Sequence, residues 1–61
     1  MKIRKVISLL AKDGWRLYRT KENYYQFKHP IKLGLITISG KKSRRLADLS
    51  LRNILFKAGL I

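Results

Sequence analysis

Asn23-Tyr24-Tyr25-Gln26-Phe27-Lys28-His29-Pro30 is the stretch of this chain best equipped for chemistry. Tyr24, Gln26 and Lys28 alternate along it, so an extended backbone sets a ring, an amide and a cation on one face. A ring can stack on a nucleobase, an amide can hydrogen-bond to its edge, and an ammonium can pair with phosphate. Arg19 and Lys21 stand just before the stretch, and Lys41-Lys42-Ser43-Arg44-Arg45 follows it. The pattern suits a polyanion that carries flat bases, which is RNA.

Cleaving RNA without a metal requires a base for the 2′-hydroxyl proton and an acid for the leaving oxygen. It also requires cations to stabilise the phosphorane. Arg19, Lys21, Lys28 and Arg44 supply cations. The usual proton carrier near neutrality is an imidazole, and His29 is the single histidine. Alternation places His29 with Tyr25 and Phe27 on the apolar face, just before Pro30. It therefore reads as a strand-end residue packed or hydrogen-bonded against a turn. A phenol, with an ordinary pKa of about 10, is a weak base at neutral pH. Tyr24 reads as a stacking or cross-strand residue. The run Lys41, Lys42, Arg44 and Arg45 reads as a phosphate clamp near the start of the second helix, an end that attracts anions. The alternative is a solvated basic loop.

Other chemistries lack their residues. Asp13, Glu22 and Asp48 are the three acids, and they fall on a helix end, a hairpin turn and a helix start, so no carboxylate pair is expected to converge. One histidine and no cysteine give a metal no ligand set and a disulfide no thiols. No glycine-rich phosphate loop is present. A metalloenzyme, a glycosidase or a nucleotide hydrolase is not expected on these grounds, nor is a cofactor or metal.

Fifteen lysines and arginines against three acids give 61 residues a net charge of +12. Repulsion on that scale calls for an anionic partner, and phosphate backbone or an acidic protein would answer it. No apolar run approaches the ~20 residues that span a bilayer. Lys12 and Asp13 interrupt the apolar positions near the start, so no signal peptide is read and a cytoplasmic location is expected. A chain this short buries only about 60% of its unfolded surface, yet its 46% hydrophobic residues are patterned as in one folded domain covering residues 1–61.

The elements that would position these residues follow from periodicity. Ile3, Val6, Ile7 and Leu10 repeat at helical spacing, which predicts a first helix over residues 3–13 that Gly14 stops. Trp15, Leu17 and Arg19 then share one strand face, with Arg16, Tyr18 and Thr20 on the other. Trp15 is expected in the core. Lys21-Glu22-Asn23 makes a turn, and the second strand sets Tyr25 and Phe27 inward against Tyr24, Gln26 and Lys28. Pro30 ends it, and Leu35-Ile36-Thr37-Ile38 forms a third strand closed by Gly40. Leu51, Ile54, Leu55 and Ala58 carry the closing helix, with Asp48 or Ser50 as its N-cap and Gly59 as its stop. The expected fold class is α+β, in the order α-β-β-β-α. Its three-stranded antiparallel sheet carries both helices on one face.

Three stretches carry a family resemblance: Leu9-Leu10-Ala11-Lys12-Asp13-Gly14-Trp15, Gln26-Phe27-Lys28-His29-Pro30, and Leu51-Arg52-Asn53-Ile54-Leu55-Phe56-Lys57-Ala58-Gly59-Leu60. Taken in order, they resemble the HicA toxins, small proteins that cleave mRNA and are held in check by HicB antitoxins. The resemblance implies a double-stranded-RNA-binding-domain-like fold, a metal-independent endoribonuclease activity on mRNA, and an acidic HicB-like antitoxin as partner. It also implies a catalytic histidine in a Gly-Ser-His run at the start of the second strand. Those positions read Glu22-Asn23-Tyr24 here, so Tyr24 occupies the catalytic position. On this resemblance RNA contacts are expected from Arg19, Lys21, Tyr24, Gln26, Lys28, Lys41, Lys42, Arg44 and Arg45. An RNA-binding or antitoxin-binding module of the same fold, without nuclease activity, is the alternative.

Overall fold

The computed structural model describes all 61 residues. The chain runs α1 (Ile3–Lys12), β1 (Arg16–Lys21), β2 (Tyr24–Lys28), β3 (Ile36–Ser39) and α2 (Asp48–Lys57). The strands pair in that order as an antiparallel meander. The α-β-β-β-α order and the α+β class stand as the sequence predicts.

Periodicity decides what each element buries. In α1, Ile3, Val6 and Leu10 are fully buried while Arg4 and Lys5 face solvent. Phe27 of β2 and the alternating pair Ile36 and Ile38 of β3 meet that stripe, joined by Trp15 and Ala58. Each large side chain removed from water in this way contributes about 1.5–3 kcal/mol. Helix α2 is different: it has no fully buried residue and packs on the core through half-buried Leu51 and Ile54. Its outward side carries Leu49 and Phe56, 71% and 74% exposed.

Three expectations need correction. The N-cap of α2 is Ala47, with no side-chain hydrogen bond, instead of Asp48 or Ser50. Asp48 sits inside the first turn, where its charge favours the positive end of the helix dipole without capping it. The third strand begins at Ile36 and not at Leu35. The alternation drawn through β1 fails between Leu17 and Arg19, where a bulge shifts the register. Leu17 pairs with Phe27 on the helix side, but Arg19 pairs with Gln26 and Arg16 with Lys28. Directly paired residues project to the same side, so Arg19 joins Arg16 on the face away from the helices.

The turn after β2 fastens both helices. His29 lies against Trp15 edge-to-face at 5.2 Å between ring centroids. Its Nδ1 accepts the N–H groups of Ile31 and Lys32, each at 3.0 Å, so Nε2 carries the proton and donates to Asp13 O at 2.7 Å. Both nitrogens are occupied, and only 8% of the side chain is exposed. Lys32 Nζ donates to Asp13 Oδ2 at 2.5 Å and to Ala58 O at 2.9 Å. Asp13 and Ala58 are the C-caps of the two helices. One ammonium thus meets the negative ends of both helix dipoles.

The Lys32 hydrogen bond holds the Asp13 carboxyl below the usual carboxylate range, against an opposing effect of desolvation; the Lys32 charge adds to the lowering. Trp15 Nε1 has no partner at hydrogen-bond distance and contributes only weakly to the same lowering. Gly14 lets His29 approach: its φ is +103°, and a Cβ there would lie 2.9 Å from His29 Nε2.

Two outcomes follow from this clasp. Gly14→Ala should lose about 1–2 kcal/mol to left-handed backbone strain alone, and more through the His29 contact; an unchanged urea midpoint would refute that account. The lowered Asp13 pKa contributes stability that is fully present above the unfolded value of about 3.9 and is lost as pH falls through the folded value. Thermal unfolding from neutral to acidic pH should show Lys32→Gln less stable at pH 7 and less acid-sensitive than the parent chain. Parallel losses in both would show that the ion pair adds nothing.

Candidate nucleic-acid interface

With both helices on one side, the other face of the sheet is left open. Strand β2 builds its centre, because Tyr24, Gln26 and Lys28 alternate with half-buried Tyr25 and buried Phe27. Across the meander, Lys21 and Ser39 flank Tyr24, while Arg19 and Thr37 flank Gln26. Arg16, Arg19, Lys21 and Lys28 are all exposed on this face. The chain's ion pairs are confined to Asp13, so none of these four cations has a carboxylate within ion-pair distance. A cationic sheet face without internal compensation attracts polyanions.

The end of this face nearest the hairpin is a shallow depression lined by Arg19, Lys21, Glu22, Asn23 and Tyr24. The Tyr24 hydroxyl accepts a hydrogen bond from Gln26 Nε2 at 2.7 Å. That bond fixes the phenol from below and leaves its own O–H free to donate outward. Glu22 heads the turn with φ +34°, the one non-glycine residue at positive φ. A side chain in this region is strained. Its carboxylate also brings negative charge to the rim of a basic surface.

Among the residues expected to act together, Arg19, Lys21, Tyr24, Gln26 and Lys28 do share this face. Lys41, Lys42, Arg44 and Arg45 do not lie on it. Their loop starts beside the hairpin, where Gly40 N–H donates to Asn23 O at 2.7 Å. It then crosses to the start of α1. Arg44 O and Lys42 O accept the N–H groups of Ile3 and Arg4 at 2.8 and 3.1 Å, and Arg45 bridges to Lys2. The carbonyls of this loop therefore cap α1, while Arg45 stands two residues before Ala47, the N-cap of α2. The Lys42 ammonium stands 5.7 Å from the Tyr25 ring centroid, and Tyr25 projects to the helix side. His29 is on that side too, its nitrogens engaged in the fold.

Sequence reasoning missed Arg16 and Tyr18. Both follow plain alternation onto the open face, where the bulge brings Arg19 to join them and the Lys28 ammonium lies 4.0 Å from the Tyr18 ring centroid. The signal was available: alternation sets Arg16 and Tyr18 opposite Trp15 and Leu17.

These features define a small basic α+β domain with one sheet face free for a ligand. A family model described as HicA toxin of bacterial toxin-antitoxin matches residues 3–60. The chain belongs to this family of toxins, which implies an antitoxin partner. No curated protein matches it at a significant level. No three His, Cys, Asp or Glu side chains gather where they could hold a metal ion, and no helix is long and apolar enough to cross a membrane.

Glycine takes left-handed backbone without strain, so Glu22→Gly should stabilise the fold by about 0.5–1 kcal/mol, the relieved strain less the added chain entropy. A urea midpoint equal to or below that of the parent would show that the turn is not strained at Glu22.

Proposed function

We propose that this HicA-family protein binds mRNA across the open sheet face and acts on it as a toxin through that surface. Support comes from the four uncompensated cations around Tyr24 and Gln26 on β2. Arg19, Lys21 and Lys28 contact phosphates, and each neutralised phosphate releases counterions and makes binding salt-dependent. Tyr24 stacks on a base, an interaction of about 1–3 kcal/mol. Gln26 holds the phenol in place through its amide. The cations of residues 41–45 start at the same end of the molecule and prolong the track for the backbone.

Binding is better supported than cleavage. A metal-free nuclease would use a proton carrier, and His29 is spent on Asp13, Ile31 and Lys32. Tyr24 stands where the family histidine is expected. A second reading gives Tyr24 a direct part in cleavage, and one observation favours it: the Gln26 bond leaves the Tyr24 O–H free to donate to a leaving oxygen. Under either reading an acidic, HicB-like antitoxin neutralises the protein by competing for the same cations.

Labelled mRNA incubated in EDTA with the parent chain and with Tyr24→His separates the two readings. The parent should retain RNA in a salt-sensitive way and leave it intact, whereas Tyr24→His should cut it. Cleavage by the parent that Tyr24→Phe abolishes would install Tyr24 in the reaction instead. Tyr24→Ala should weaken retention by roughly 5- to 150-fold. Absence of any RNA retention at low salt would end the proposal.

A further inference from the structure

The far end of the open face, beyond Gln26, presents a second cluster. Arg16 and Lys28 are direct cross-strand partners, an arrangement of like charges that destabilises a sheet. Arg19 adds a third cation: its guanidinium carbon lies 5.9 Å from the Tyr18 ring centroid, and the Lys28 ammonium lies 4.0 Å from the same point. No carboxylate pairs with any of the three. The bulge between Leu17 and Arg19 is what brings Arg19 onto the same face as Arg16 and Tyr18. Bulges of this kind re-aim side chains beside functional sites. An aromatic face attracts cations and so offsets part of their mutual repulsion. Water and salt screen part of the remainder, and a bound anion would relieve it further.

We propose that Arg16, Arg19 and Lys28, gathered around Tyr18, form a phosphodiester-binding subsite, with Tyr18 as the residue that positions the cations. The proposal rests on the RNA reading above and adds a direction to it. Lys28 lies four residues along β2 from Tyr24, a span of ~13 Å at strand rise. A single strand would thus run along β2, one base at Tyr24 and a phosphate further on at Tyr18. Tyr18 is 54% exposed and belongs to no core contact, so its replacement spares the fold.

The test is a double-mutant cycle on the full chain, with a short labelled single-stranded RNA as probe and circular dichroism to confirm folding. Tyr18→Phe keeps the ring and should bind as the parent does. Tyr18→Leu should weaken binding about 3- to 10-fold, within the range of a cation–aromatic contact. Lys28→Gln should reduce the salt-dependence slope by about 0.7, the value for one lost phosphate contact on a single strand. In the Lys28→Gln background Tyr18→Leu should have much less effect, a non-additivity that a purely structural role would not produce. Full additivity, or parental affinity in Tyr18→Leu, overturns the subsite. If Tyr24→Ala loses affinity while the Tyr18 and Lys28 variants do not, the RNA reading stands and the subsite falls. If the parent binds no RNA, the reading beneath it fails first.

Discussion

Lys32 gives a single ammonium to two helix ends, donating to the Asp13 carboxylate after α1 and to the Ala58 carbonyl after α2. Helix α2 buries none of its own residues completely and otherwise rests on half-buried Leu51 and Ile54 and on its buried C-cap Ala58. His29 supports the same turn from inside, resting on Trp15 and donating to Asp13 O. Were α2 to leave its place, Ile36, which neighbours Ile54, would lose part of its cover. The sheet keeps one wet face because this turn keeps both helices on the other.

That division of labour settles how β2 works. One strand of five residues contributes to the core through Phe27 and to the basic face through Tyr24, Gln26 and Lys28. Charge is the cost. With a net charge of +12 and ion pairs only at Asp13, the folded chain carries self-repulsion that its small core must overcome. Phe27 and its neighbours are thereby tied to the open face, since losing core contacts would release the layer that holds the cations.

Much of this was legible in residue order. The helical repeat of Ile3, Val6 and Leu10, and the alternation of Ile36 and Ile38, are direct records of burial. The part played by His29 followed from its phase with Phe27. What stayed hidden depends on long-range geometry. A bulge inserts a residue without a compositional mark, so strict alternation sets the Arg19 side chain on the wrong face. The basic loop precedes α2 in sequence but docks on α1, because its carbonyls answer the unpaired N–H groups at that helix start. Asp48 has a capping side chain, yet its neighbour Ala47 takes the extended cap conformation.

The docking of that loop reaches beyond helix capping. Arg44 and Lys42 each give up a carbonyl to α1, and Leu46 N–H donates to Met1 O. The peptide planes are therefore anchored at several points while the charged ends stay in solvent. A polyanion approaching this edge meets side chains whose roots are already fixed, and less freedom remains to be lost on contact.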